Sequence, residues 1–252
     1  MKRLPNKKLS TEYLDVLIED NLFDYGGEAI ICRPDDQKSV YKIFVSPGTD
    51  IPDVMSDNKL KKILFYHQHN IANMVQPLST LEHNGKLIGY EASYDPDDYS
   101  LLTIPITEKE LIICLEKTKD QLNYFADHDI TFGDVTADNI LVNRKTLQTK
   151  FCDIDNTRVG KLPIDVIGVA LTYYYRDVQR IDHNADIFMH NLLVLEGLYY
   201  PSISYRQVLQ EIKSGNIPAT LDDTAKEIAA SMANPQEFIA EPIITYVKKL
   251  SR

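Results

Sequence analysis

The sequence predicts an α+β protein made of two parts, a small antiparallel sheet with one helix and then a mainly helical region. Short β-rich runs bounded by turn residues crowd the first 92 residues. The polar stretch "YDPDDYS" then breaks both strand and helix periodicity, and beyond it the apolar spacing turns helical. The implied boundaries are 1–92 for the sheet part, 93–98 for the connection and 99–252 for the helical part.

Taken in order, "EAIIC" and "SVYKIFV" are two strands separated by the turn-like "RPDDQK". "DNKLKKILFYHQHN" sets Leu60, Ile63, Leu64 and His67 at helical spacing, and "MVQPLSTLEHNGKLIGYEAS" reads as a second hairpin turning at His83, Asn84 and Gly85. Thr107 with Glu110 forms a capping box ahead of "LIICLEKTKDQLNYFADH". In that segment Ile112, Leu115, Leu122 and Phe125 share one face of a helix. "NILVN" and "TKFCDID" make a further hairpin, and "ADIFMHNLLVLEGL", "YRQVLQEIK", "DDTAKEIAASMA" and "PIITYVKKL" read as helices.

A chain of 252 residues with 44% apolar content can bury its core without metals or disulfides. Its 27 basic against 37 acidic residues give a net charge of −10, which repels nucleic-acid phosphates. The basic residues gather only in "MKRLPNKK", which reads as a solvated, mobile start. No apolar run reaches the roughly 18 residues that a membrane span needs, and the basic start leads into no signal segment. A cytosolic location is the default expectation, and delivery into another cell is compatible with it. Cys32, Cys114 and Cys152 are odd in number and lack C-x-x-C spacing, so reduced thiols are expected. His67 and His69 lack a third ligand at useful spacing and read as a helix end, while "LTYYYRD" reads as packing and not as a base-stacking platform.

The stretch "TFGDVTADNILV" carries the chemistry. Asp134, Asp138 and Asn139 lie in a tight loop between apolar runs, and Asp153 follows at the end of the next hairpin. Converging carboxylates repel and are costly to desolvate, so such a cluster is either exposed or neutralised by a divalent cation. Asn139 and Asp153 are hard oxygen ligands of the kind a magnesium–nucleotide complex uses. Aspartate and asparagine are also ordinary turn formers, so the loop taken alone is equally a structural turn.

The order of "DYGGEA", "VYKIF", "FGDVTADN" and "CDID" resembles the motif series of the protein kinase-like superfamily: a glycine-rich loop, a strand lysine, H-R-D-x-x-x-x-N and D-F-G. It is most similar to a bacterial branch carrying G-G-E-G, E-x-K-L, G-D-V-x-x-x-N-I-L-V and I-D-x-D. The resemblance implies a bilobal fold with an N-lobe over 1–92, a hinge over 93–98 and a helical C-lobe over 99–252. It implies ATP and magnesium as cofactors and a protein hydroxyl as acceptor. By the same resemblance, Lys42 pairs with the α- and β-phosphates, Gly26 and Gly27 let backbone approach the phosphates, and backbone from Glu91 to Ser93 meets the adenine edge. Asp57 is the helix acid matched to Lys42, or else that pairing is lost where Lys61 and Lys62 stand. Asp134 orients the acceptor hydroxyl and takes its proton, Asn139 and Asp153 hold magnesium, and Asp186 braces the catalytic loop.

Several positions depart from the pattern. Phe132 and Gly133 replace the His and Arg before the catalytic aspartate, removing the arginine that grips an activation-loop phosphate. Ala29 replaces the last glycine of the branch motif, Thr136 stands where a lysine is usual in serine/threonine kinases, and Ile154 replaces the D-F-G phenylalanine. Cys152 lines the nucleotide pocket if the motifs align and is otherwise a small buried residue; Asp155 reads as a turn cap. Three readings follow: a kinase acting on Ser/Thr or Tyr hydroxyls, a pseudokinase that binds without turnover, and an enzyme transferring to a small molecule or transferring a nucleotidyl group.

Overall fold

The computed structural model describes residues 4–34, 38–164, 181–234 and 237–247. The chain divides into two compact units, 1–98 and 99–252. "LTYYYRD" and the middle of "RPDDQK" lie outside the described residues.

In the first unit, β1 (Asn6–Lys8), β2 (Leu22–Tyr25), β3 (Ala29–Cys32), β4 (Ser39–Phe44), β5 (Pro77–His83) and β6 (Lys86–Ser93) form one sheet in the order β1-β5-β6-β4-β3-β2. The expectation of an antiparallel sheet with one helix needs correction on both counts. β1 runs parallel to β5, with Asn6 opposite Thr80 and Lys8 opposite Glu82. Two helices, α1 (Thr11–Asp20) and α2 (Asp57–His69), belong to the unit. The basic start is therefore strand from Asn6, because β5 offers it an edge and Lys7 finds a counter-charge in Glu91 at 2.6 Å.

Ser10 caps α1 by accepting the Tyr13 N–H at 3.2 Å. Leu14 and Leu17 then join Ile30, Cys32, Tyr41, Ile43, Leu81 and Ile88 in one apolar layer. Full burial of each such aliphatic side chain contributes about 2 kcal/mol. Between β5 and β6, Asn84 and Gly85 both have positive φ, 49° and 76°, which a two-residue turn matching strand twist requires.

Ser56 caps α2, accepting the Lys59 N–H at 3.2 Å, and Asn70 ends it in the left-handed region. The buried face is Lys59, Lys62, Ile63 and Tyr66, rotated from the expected Leu60, Ile63, Leu64 and His67. Lysine stems are apolar enough to be buried when the ammonium has a partner. His67 ends the helix against the Pro77 carbonyl at 3.1 Å, and His69 stacks on Phe65.

In the second unit, β7 (Asp98–Ser100), at its start, β9 (Ile140–Asn143) and β10 (Thr149–Phe151) form a three-stranded sheet, and β8 (Ile130–Thr131) pairs with β11 (Arg158–Val159). The helices are α3 (Glu108–Asp127), α4 (His183–Tyr199), α5 (Tyr205–Lys213) and α6 (Asp223–Ser231). Thr107 and Glu110 cap α3 reciprocally, the Glu110 carboxylate accepting the Thr107 N–H at 2.8 Å. Every residue of α4 from Ala185 to Leu195 is buried, so it is the central helix, packed by α3 and α5. Phe125, Phe132 and Phe151 make a ring cluster with centroids 4.7–6.5 Å apart beneath β8 and β10. The last expected helix is a 3-10 turn, Ile243–Tyr246, started by Pro242 and tied to α4 through Asn191, which accepts the Ile243 N–H at 2.8 Å.

Cys32 and Cys114 are buried free thiols, and Cys152 is partly exposed. Among the described residues no helix is long and apolar enough to cross a membrane.

Candidate functional site

The loop from Thr131 to Ile140 is shaped by one buried carboxylate. Asp186, in the first turn of α4, is fully buried and accepts two consecutive amides, Phe132 N–H at 2.8 Å on Oδ2 and Gly133 N–H at 2.6 Å on Oδ1. Gly133 has φ +82°, and a Cβ there would lie 2.3 Å from Ile164 Cδ1. The positive φ favours glycine at this position, and its lack of a side chain leaves room for Ile164. Phe132, in place of histidine, packs against Phe151 at 4.7 Å. Burial pushes the Asp186 carboxyl up to about 7, against the pull of the Gly133 and Phe132 amides.

Downstream of this brace the Asp134 carbonyl accepts the Thr136 N–H at 2.9 Å, and the Asn139 N–H returns to the Thr136 carbonyl at 3.2 Å. The Asn139 Nδ2 donates to Asp134 twice, to its carbonyl at 3.0 Å and to its Oδ2 at 2.8 Å. Asp134 is partly buried; desolvation, then the nearby Asp153 charge, raises its carboxyl to about 6 while the Asn139 amide opposes the rise. The end of β10 is joined to the same loop by the Cys152 N–H, which donates to the Asn139 carbonyl at 3.0 Å. Asp153 follows with φ +59°, a left-handed conformation in a non-glycine residue, and opens the 3-10 turn Ile154–Asn156. Asp155 is buried in that turn.

Asp134 and Asn139, from one loop, and Asp153, from the end of the next hairpin, are thus neighbours. The Asn139 Nδ2 is given to Asp134, which leaves its amide oxygen as the acceptor of that side chain, while the Asp153 charge is felt at Asp134. Magnesium binds through one or two protein oxygens and completes its shell with phosphate and water, so these residues fit it. No group of three or more His, Cys, Asp or Glu side chains positioned to hold a metal occurs among the described residues.

In the first unit Lys42 lies on β4, opposite Ile31 on β3 and Tyr90 on β6. Its Nζ stands 5.7 Å from the Phe44 ring centroid. Gly89 holds β4 and β6 close, since a Cβ there would be 2.0 Å from the Lys42 carbonyl oxygen. Gly26 and Gly27 form the turn between β2 and β3, with the Gly26 N–H on the Ala29 carbonyl at 2.9 Å. Neither has positive φ, and a Cβ on Gly27 would meet nothing within 4 Å. A Cβ on Gly26, by contrast, would stand 3.3 Å from the Ala29 carbonyl oxygen, so the turn is close-fitting at Gly26 and open at Gly27.

Asp57 is not brought to Lys42. It is exposed in the first turn of α2, where its charge suits the helix dipole, and it makes no hydrogen bond or ion pair with a described residue. The acid near α2 is instead Glu28, paired to Lys59 at 2.9 Å. Glu91 and Ser93, whose backbone is expected beside an adenine edge, engage their side chains within the first unit. The Glu91 carboxylate is buried and accepts from Lys7 at 2.6 Å, Ser79 at 2.6 Å and Ser39 at 2.9 Å. Ser93 gives its N–H to the Gln76 carbonyl at 3.0 Å and accepts the Gln76 N–H on Oγ. β6 is an interior strand, and its polar groups are drawn into the sheet on both sides.

Sequence reasoning missed Glu28 and Lys59 as partners and Glu91 as a sheet-joining carboxylate. The signal for the first was present, since Glu28 directly follows Gly26 and Gly27 and Lys59 stands in the first turn of the "DNKLKKILFYHQHN" helix. No protein-family model matches the chain, and no curated protein matches it either.

Proposed function

We propose that the protein is an ATP- and magnesium-dependent phosphotransferase acting on protein hydroxyls. The observation that carries this reading is the loop in which Asp134 is clamped by Asn139 beside Asp153, on a backbone held by Asp186. Phosphoryl transfer asks little covalent chemistry of a protein; it asks for positioning and charge neutralisation. Asp134 is oriented by a fixed amide and suits a general base for a hydroxyl. Asn139 and Asp153 supply hard oxygens, and magnesium bound there would neutralise charge on the phosphates. Within the first unit, Lys42 on an interior strand and the open backbone at Gly27 are the groups this reading assigns to phosphate.

A second reading, a nucleotide-binding module without turnover, draws on Asp57, which stands exposed in the first turn of α2 and bonds to no described residue, unlike the helix acid of active kinases. The two part in one experiment. The protein is incubated with magnesium and γ-labelled or α-labelled ATP and a generic protein acceptor, beside Asp153→Ala. Transfer of γ label by wild type alone is expected. Transfer of α label would replace the reading with nucleotidylation, and magnesium-dependent ATP binding without any transfer would replace it with the binding module.

A further inference from the structure

The ion pair between Glu28 and Lys59 has the reverse polarity of the lysine–acid pair expected around α2. Here the helix supplies the cation and the glycine hairpin supplies the acid, at 2.9 Å. The Lys59 side chain is 11% exposed and Glu28 48%, so the ammonium end is largely shielded while the carboxylate reaches it from the turn. Lys59 Nζ also stands 4.3 Å above the Phe44 ring, on the strand that bears Lys42, whose Nζ lies 5.7 Å from the same ring. A charge pair with one partner this shielded is held more firmly than one between two exposed side chains.

Glu28 is the last residue of the turn, next to Gly26 and Gly27. β2 itself has all four residues exposed and borders the sheet on one side only. The pair with Lys59 is therefore a side-chain tie between the glycine turn and α2, a helix whose first turn is fixed by the Ser56 cap.

We propose that Glu28 and Lys59 are positioning residues, a charge latch that holds the Gly26–Gly27 turn at a set height against α2 and Phe44 so that its backbone meets nucleotide phosphates. The functional half of this rests on the phosphotransferase reading. The latch fixes the turn before nucleotide arrives, and its loss acts on nucleotide affinity before it acts on turnover.

The test uses the full chain and four variants: Glu28→Gln, Lys59→Gln, the conservative Lys59→Arg, and the charge exchange Glu28→Lys with Lys59→Glu. Hydrogen exchange over residues 22–32 is measured without nucleotide, and ATP with magnesium chloride is titrated calorimetrically. Each glutamine variant should speed exchange and weaken ATP binding by roughly 5- to 30-fold, the factor that loss of one such coupling gives. KM for ATP should rise while kcat changes little, Lys59→Arg should stay near wild type, and the exchanged pair should recover most of the loss. Wild-type exchange in Glu28→Gln, or an exchanged pair no better than the single variants, would overturn the latch. If wild type binds no ATP, the phosphotransferase reading falls, and the exchange data alone decide whether the latch exists.

Discussion

Replacing Asp134 with asparagine should make the second unit more stable at neutral pH while abolishing label transfer. The carboxyl is raised from the ordinary 3.8 to about 6 by burial and by Asp153. At about 1.4 kcal/mol per pKa unit, holding it ionised at pH 7.5 costs about 3 kcal/mol. Asparagine carries no charge, and its own amide oxygen can still accept from the Asn139 Nδ2, so most of the cost should be recovered. The expected gain is about 2 kcal/mol, or ~4–8 °C in melting temperature for a unit of this size. The sign with pH follows from the raised value: the favourable protonated form is fully present below 3.8, and its contribution is lost as pH rises through about 6. The stabilisation by Asp134→Asn should therefore be largest at pH 7–8 and fade towards pH 5. Thermal melts with a chelator present, at pH 5, 6, 7 and 8, measure it. A variant less stable than wild type at pH 7.5, or a gain that does not vary with pH, would refute the account of Asp134 as a charge held at a cost.

Three other outcomes are expected. Asp186→Asn turns one amide donor towards a backbone N–H, leaving the Phe132 or Gly133 amide unpaired, so it should destabilise by about 3 kcal/mol in urea unfolding and sharply lower transfer. Gly89→Ala drives a methyl into the Lys42 carbonyl; a loss of about 3 kcal/mol and weaker ATP binding should appear together, in denaturation and in titration. Burial alone would raise the Glu91 carboxyl, but hydrogen bonds from Lys7, Ser79 and Ser39 outweigh it and hold it low, so its stabilisation is present above the ordinary 4.5 and is lost as pH falls through the lower folded value. Glu91→Gln should accordingly flatten the acid limb of a pH titration followed by circular dichroism.

Local chemistry made much of the architecture legible. The turn at Asn84 and Gly85, the box of Thr107 and Glu110, and the hairpin carrying Asp153 are each written in neighbouring residues, and each is present in the structure. The Asp186 brace was legible only through a motif, because its two amides lie 54 and 53 residues earlier in the chain. The remaining differences share a cause. β1 pairs with a strand more than seventy residues away, and nothing within "LPNKK" announces an edge that will exist only after β5 forms. The buried face of α2 was displaced because hydrophobic periodicity counts lysine as polar, whereas Lys59 and Lys62 bury their stems. Glu91 reads as a hinge residue by position, yet two serines and a lysine from three other strands claim its carboxylate.

The two borders of the six-stranded sheet are unequal. Along one, three residues of β1 shield the rim of β5, and Lys7 fastens that guard to a carboxylate lodged among the strands. A shielded rim cannot recruit a strand from another molecule. Along the other, β2 lies open with Leu22, Phe23 and Tyr25 each about half exposed. Cutting the chain before Leu9 would thus uncover the rim of β5 and strip a buried anion of its cation, leaving it only the Ser79 and Ser39 hydroxyls. Loss of solubility, and not only of stability, is the consequence to watch for when the first residues are trimmed.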